Sequence, residues 1–400
     1  MSNVVAQLAD GRGPVTIVCF GDSITGLYYH TGGRRAWCDM LGIGLNKVYP
    51  TTHFEMVNAG ESGETTFNAL KRIRTDVLAK RPRLVVVMFG MNDVARVSPS
   101  DYHKNLVRIV EQCRTVGAVV ILCTPNPIYP QDLNRPVGRL AEFADIVRQV
   151  GAECHVLIAD CYRRLDAIRA ESGSGWMALM SETVHPNMRG HIVIAEEVTR
   201  AVTGRRITLR DVPPLFPSIP HTLTLLSKHL PMRVLAMTPY DCLIERTLLE
   251  IDADARVEVI PWRVAGKSLA EIEEEGNRRN WLSLRPISPN EKPDLVIVAV
   301  PSSATAPTPE LYYRSYTGIL NSCFSFAGFK WDVIAILPSV RDGNQTSAQM
   351  ANEELALTAT KGHDMGWIER PGGDSNPGHD IVFKWLRSQA GSARNSVLRK

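Results

Sequence analysis

The chain has 400 residues, 44% of them apolar and 22% charged, and a formal net charge of +3 at pH 7, an ordinary composition for a soluble globular protein. So small a charge, with Lys and Arg scattered apart from short clusters such as Arg205-Arg206, leaves no footprint for nucleic acid or an anionic membrane. No apolar run approaches the roughly 20 residues that span a bilayer, and at about 150 residues per domain the length suggests two or three domains.

The N-terminus, "MSNVVAQLADGRGP", has neither a basic n-region nor a long apolar h-region. It therefore reads as the start of a cytoplasmic protein, or of a secreted one whose leader has been removed. Eight cysteines (Cys19, Cys38, Cys113, Cys123, Cys154, Cys161, Cys242 and Cys323) form no CxxC pair, and several fall inside strand or helix patterns. That favours reduced core thiols in a reducing compartment over a disulfide framework or a zinc site.

Along the first half, short apolar runs alternate with longer helical stretches. The runs are "VTIVCF" (15–20), "FEMVN" (54–58), "LVVVMF" (84–89), "AVVILC" (118–123) and "HVLIA" (155–159). They are β-branched and do not alternate with polar residues, the pattern of strands buried on both faces. Between and after them, residues 34–49, 65–80, 99–115, 138–150 and 188–202 carry helical periodicity. Repeated βα units imply a parallel sheet with helices on both faces, and in such sheets ligands bind at the carboxyl ends of the strands.

"RDVPPLFPSIPHTL" (210–223) then interrupts with Pro-rich, non-periodic sequence, a linker signal. After it the rhythm resumes with "RVLAM" (233–237), "RVEVI" (256–260), "LVIVAV" (295–300) and "DVIAIL" (332–337). The halves also align: "MVNAGESGETT" lies without a gap on "VIPWRVAGKSL", which sets Gly63 opposite Gly266. "PRLVVVMFGMND" lies on "PDLVIVAVPSSA", and "HPNMRGHIV" resembles "NPGHDIV" when a few residues are dropped. The correspondences come in one order, which reads as a duplicated domain, although any two α/β domains share strand patterns. The expected organisation is a first domain over 1–204, a linker over 205–230 and a second domain over 231–400.

Four polar motifs punctuate the first half: "GDSIT" after the first strand, "NAGESGET" after the second, "GMND" after the third, and "ETVHP" before the last helix. Singly each has a plain structural reading. Gly21-Asp22-Ser23 suits a helix cap, Asn92 an Asx turn, the Gly-rich loop a tight turn, and His-Pro-Asn a start with Pro at N1. Together they bring a hydroxyl, a loop N–H, a side-chain amide and an imidazole with a nearby carboxylate to one rim. Those are the parts of an acyl-transfer site.

These four blocks resemble those of the SGNH (GDSL) hydrolase family, over about residues 15–203. The resemblance implies a doubly wound, flavodoxin-like three-layer α/β domain with a parallel sheet. It also implies Ser23 as nucleophile, His185 as base and Glu182, three residues before the histidine, as triad acid. The oxyanion hole it implies consists of the Ser23 and Gly63 N–H groups and the Asn92 amide. The family usually has aspartate at the position of Glu182, so Asp160 and Asp166 stay open as alternative acids. Asp22, Tyr28 and Asp93 are lesser candidates for substrate contact, with a structural, loop-ordering role as the competing reading for Asp22 and Asp93. His191 is expected to pack on the last helix. No metal and no cofactor are expected, since no cluster elsewhere has ligand spacing.

In the second half the alignment puts Tyr240 opposite Ser23, Ser303 opposite Asn92 and Asn376 opposite His185; Gly266 alone survives. This half reads as a degenerate SGNH-like α/β domain without catalytic residues. Its Trp262, Trp281, Trp331 and Trp367 offer a sugar platform or, more commonly, core. The function expected is a serine esterase acting on a short acyl, acetyl-like ester, on a polar carrier such as a carbohydrate. The polar stretch "GLYYHTGGRRAW" after the nucleophile and the absence of an apolar lid near the blocks favour that carrier. A lysophospholipase or thioesterase using the same triad is the first alternative, and a non-catalytic binding or scaffold protein the second. The expected partner is a small-molecule ester, without nucleic acid or membrane insertion; self-association is left open.

Overall fold

The computed structural model describes residues 14–279, 292–326 and 329–397. They fall into two compact units. The first holds the chain up to Leu27 together with Arg35–Val212, and the second holds Tyr28–Arg34 and the chain from Pro213 onwards.

The first unit is built on five strands: β1 (Val15–Gly21), β2 (Phe54–Gly60), β3 (Leu84–Met88), β4 (Val119–Cys123) and β5 (Leu157–Ala159). They form one parallel sheet in the order β2-β1-β3-β4-β5. Its helices are α1 (Ser23–Gly26), α2 (Trp37–Val48), α3 (Thr66–Asp76), α4 (Asp93–Arg96), α5 (Pro99–Arg114), α6 (Val137–Glu153), α7 (Cys161–Glu171), α8 (Gly173–Met177) and α9 (Met188–Thr203). Side chains alternate across a strand, so Ile17, Cys19, Leu84 and Val86 enter one core with Trp37, Leu41, Leu165 and Val198 from α2, α7 and α9. Val18, Phe20, Val85 and Val87 enter the other, against Ile73, Ile109 and Phe143 from α3, α5 and α6. Two apolar faces explain why the strands show no polar alternation.

Strand order reverses between β1 and β3, so the crevice of this sheet opens at their carboxyl ends. Gly26 and Gly60 meet there. A Cβ built on Gly60 would stand 2.3 Å from the Gly26 nitrogen, so the missing side chains let α1 lie against the end of β2.

The second unit repeats the plan with β6 (Pro231–Met237), β7 (Arg256–Trp262), β8 (Leu295–Val298), β9 (Asp332–Ile336) and β10 (Gly366–Ile368). Its parallel sheet runs β10-β9-β8-β6-β7, which read from the other edge is the order of the first. The hydrogen-bonded register carries the likeness to single residues. Ile17 pairs with Leu84 and Val234 with Leu295; Val15 pairs with Phe54 and Met232 with Val257. Counting onward from these pairs brings Tyr240 to the place of Ser23, Gly266 to that of Gly63 and Ser303 to that of Asn92.

Two features differ from the sequence reading. Within the expected linker, Pro220–Ser227 is a helix, α10, and Asp332 accepts from the Thr222 N–H at 2.6 Å. β10 has three residues, too few for a recognisable pattern. Trp262 and Trp331 are buried in the second unit, in line with the core reading of the two that the sequence offered; Trp281 lies outside the described residues. All eight cysteines are free, with Cys242 exposed and Cys154 half-buried.

Candidate active site

β1 ends at Gly21 and the chain turns at once into α1. Asp22 is the N-cap, extended at φ −91° and ψ −151°, and its carboxylate accepts from the Ile24 N–H at 3.0 Å. This fixes Ser23 as the first helical residue, 6% exposed, with its N–H among the first-turn donors that have no acceptor inside the helix. Burial pushes the Asp22 carboxyl up to about 7, and the Asp93 charge adds to the shift.

The histidine comes from the loop before α9. Met180 and Pro186 bridge as antiparallel partners, and the His185 carbonyl accepts from the Ser181 N–H at 2.9 Å. Asn187 caps α9 by accepting from Arg189 N and Gly190 N, while its Nδ2 donates to the Ala178 carbonyl at 2.9 Å. From the segment after β4, the buried Asn126 Nδ2 donates to the Val184 carbonyl at 2.9 Å, and the Thr183 carbonyl accepts from the Tyr129 N–H at 3.0 Å. The loop is thus held from two sides.

Within it Glu182 Oε1 lies 2.5 Å from His185 Nδ1 and also accepts from the N–H groups of His185 (2.6 Å) and Val184 (3.1 Å). With Nδ1–H donating to Glu182, Nε2 is left as acceptor, and Ser23 Oγ stands 2.8 Å from it. Burial alone would raise the Glu182 carboxyl. The His185 ring and these three donors outweigh it and hold the group below its ordinary value.

Gly63 sits at φ +76°, a left-handed conformation that favours glycine, and a Cβ there would meet nothing within 4 Å. The backbone is what matters at this position. Its loop is tied to both neighbours: the Glu61 N–H donates to Gly21 O at 3.0 Å, Arg96 Nη1 donates to Gly63 O at 2.7 Å, and Asn92 Nδ2 donates to Glu64 O at 3.0 Å. Arg72, on α3, donates to Gly21 O (3.0 Å), to Ala59 O (2.8 Å) and to the Glu64 carboxylate, with its guanidinium over the Phe20 ring. One cation therefore closes the ends of β1 and β2 against the glycine loop. Asn92, 3% exposed, accepts on Oδ1 from Arg135 Nη2 at 3.3 Å.

Ser23, His185 and Glu182 are brought together, and the Gly63 loop and Asn92 are cross-linked. The alternative acids are engaged elsewhere. Asp160 caps α7 and takes Arg148 at 2.8 and 2.9 Å, and Asp166 takes Arg169. Asp22 and Asp93, the lesser candidates for substrate contact, are buried, 1% and 0% exposed. Asp93 Oδ1 accepts from Thr66 N at 2.9 Å and from its hydroxyl at 2.5 Å, while Oδ2 has no partner among the described residues; burial pushes this carboxyl up to about 6. Tyr28 falls in the second unit. His191 Nδ1 accepts from the Trp37 N–H at 3.0 Å, and burial lowers its ring to about 3, a packing role. Arg72, Asn126 and Arg135 escaped sequence reading because each acts across loops far apart in the chain. In the second unit the ligand atoms of His229, Asp252 and Asp254 come within 4.8 Å of one another, a surface grouping that sequence spacing did not reveal.

The GDSL-like Lipase/Acylhydrolase family profile matches residues 19–193. Over 130 residues the chain is 35% identical to a protein named uncharacterized lipoprotein YqeF, of Bacillus subtilis (strain 168); the match covers 30% of this chain and 51%, about half, of that relative's length. Over 169 residues it is 27% identical to an acetylxylan esterase of Geobacillus stearothermophilus, covering 40% of this chain and 76% of that one. Among solved structures it is similar to LAE5, an alpha/beta hydrolase enzyme from the metagenome of Lake Arreo, Spain, at 29% identity and a TM-score of 0.41, covering 48% of this chain and 95% of that one. Residues 19–193 are a GDSL-like lipase/acylhydrolase domain, of the SGNH hydrolase type.

Proposed function

We propose that the first unit is a serine esterase that removes a short acyl group, acetyl-like in size, from an oxygen ester on a carbohydrate carrier. The observation that carries the reading is the chain Ser23 Oγ–His185 Nε2 at 2.8 Å and His185 Nδ1–Glu182 Oε1 at 2.5 Å. Ser23 Oγ attacks the ester carbonyl carbon as its proton passes to Nε2, and Glu182 stabilises the imidazolium. The Ser23 and Gly63 N–H groups and the second Asn92 N–H receive the oxyanion. As the tetrahedral intermediate collapses, His185 returns the proton to the departing alcohol oxygen. Water, deprotonated by the same imidazole, then attacks the acyl carbon, and as the bond to Ser23 Oγ breaks His185 returns that proton to Oγ and the acid leaves. The similarity to an acetylxylan esterase over 76% of that protein supports the acyl size and the carrier.

The second unit is read as a non-catalytic copy of the first. The shared strand order and register support this. So does the place of Ser23 being taken by Tyr240, which is 3% exposed and whose hydroxyl burial pushes up to about 12. The deciding experiment is an acyl-chain profile with p-nitrophenyl esters from acetyl to palmitoyl, on the wild type and Ser23→Ala, alongside acetylated xylo-oligosaccharides. Turnover favouring acetyl or butyryl and lost in Ser23→Ala is expected. A palmitoyl optimum would replace this reading by a lysophospholipase, and no turnover at any length by a scaffold.

A further inference from the structure

We propose that Arg135 is a positioning residue that fixes which way the Asn92 amide faces; this rests on the esterase reading. An asparagine side chain has nearly the same shape after a half-turn that exchanges its oxygen and nitrogen. In an oxyanion hole the exchange is decisive. One orientation offers N–H to the developing charge and the other offers a carbonyl oxygen, which repels it.

Two contacts separate the orientations. Asn92 Nδ2 donates one hydrogen to Glu64 O at 3.0 Å, and Arg135 Nη2 donates to Asn92 Oδ1 at 3.3 Å. Guanidinium donates and never accepts, so turning the amide would set donor against donor at Arg135 and oxygen against oxygen at Glu64. The amide nitrogen has two hydrogens, so one remains for the site after Glu64 O is served. Arg135 is itself immobilised. Its Nε donates to the Met91 carbonyl at 2.9 Å and its Nη1 to Asp132 Oδ2 at 2.7 Å, while Asp132 Oδ1 accepts from Asn134 N at 2.9 Å and Arg135 N at 3.2 Å. One guanidinium thus grips the backbone just before Asn92 and the Asn92 side chain together. A lysine, with a single point of charge, cannot span both in a fixed plane.

The test is steady-state hydrolysis of p-nitrophenyl acetate by the full chain, with Arg135→Met and Arg135→Lys made in the wild type and in Asn92→Ala. Removing an oxyanion donor costs about 10²–10³ in kcat, the loss expected for Asn92→Ala. Arg135→Met is expected to lower kcat about tenfold with KM within about twofold, the signature of an interaction realised in the transition state. Arg135→Lys should recover part of that loss. In the Asn92→Ala background Arg135→Met should cost nothing further, a coupling that general loosening of the loop would not produce. Should Arg135→Met fail to fold, Asp132→Asn, which weakens the hold on Nη1, should give a smaller kcat loss with the same dependence on Asn92. Equal losses in both backgrounds, or a change in KM alone, would overturn the assignment. Arg135→Met turning over at the wild-type rate would overturn it while leaving the esterase reading intact. A wild type that hydrolyses no ester would overturn both.

Discussion

Glu182 holds a ring and a loop through one oxygen, and the two tasks can be separated. Glutamine keeps an oxygen for the backbone N–H groups of Val184 and His185 but removes the charge opposite the imidazolium. Glu182→Gln is therefore expected to melt close to wild type while kcat falls by about 10²–10⁴. Glu182→Ala should add a lower melting temperature, since two backbone donors lose their acceptor. Kinetics and thermal melts on the pair check this; equal melting of the two variants would show that the backbone bonds contribute nothing. Asp22 makes a second residue-scale case. Its carboxyl moves from an ordinary 3.8 to about 7 in the folded chain, so the folded state binds the proton more tightly than the unfolded one. The stability gained is complete below the ordinary value and is lost as pH rises through about 7, a shift worth on the order of 4 kcal/mol. Asp22→Asn keeps an oxygen for the Ile24 N–H and removes the titration. Melting temperatures followed from pH 4 upward should fall less steeply in the variant; identical slopes would place the proton elsewhere.

At the scale of elements, the strands were legible because burial on both faces leaves unbroken apolar runs, and the parallel sheet followed from the βα rhythm; the strand order did not, because sequence spacing does not say which strands are neighbours. The four-residue α1 and α4 were not, since a single turn has no periodicity to read, yet they deliver Ser23 and Asn92. The blocks could be read from the sequence; the arginines that tie them together could not, because Arg72, Arg96 and Arg135 reach carbonyls of other segments that no local pattern pairs with them. The glycine loop shows what a backbone position can specify. Gly63 and Gly266 share φ of +76° and +75°, with open space where a Cβ would point. Alanine at either place therefore carries only the left-handed backbone cost, about 1–2 kcal/mol. Gly63→Ala should lose ester hydrolysis beyond what its stability loss explains, as its N–H leaves the site. Gly266→Ala should lose similar stability and no activity. Matched activity losses in the two variants would contradict the assignment of the chemistry to the first unit.

For the whole molecule, the sequence pointed to two halves in tandem, but not to where the chain crosses between them. Residues 28–34, directly after α1, belong to the second unit. Arg34 Nη1 donates to the Pro217 carbonyl at 2.9 Å, its guanidinium lies over the Phe329 ring, and the Tyr29 ring packs 5.9 Å from that of Phe326. Partners nearly 200 to 300 residues downstream leave no local trace, so the segment read only as a polar stretch beside the site. The arrangement separates two kinds of change in the second unit. Tyr240→Phe, Ser303→Ala and Asn376→Ala touch positions that match Ser23, Asn92 and His185 in register or alignment and that the proposed reading leaves without chemistry. Turnover of p-nitrophenyl acetate should stay within about twofold of wild type, as for surface or conservative changes outside the site. A chain ended at Val212 is a different perturbation, because it takes away every partner that residues 28–34 have in the second unit while leaving Ser23, His185 and Glu182 in place. That chain is expected to melt lower and to turn over more slowly than the full protein, with residues 28–34 becoming sensitive to protease. Cleavage mapped to 28–34 together with reduced kcat would bear this out. A truncated chain with wild-type melting and kcat would show that the first unit orders the end of α1 without help, and that the segment's partners serve the second unit alone.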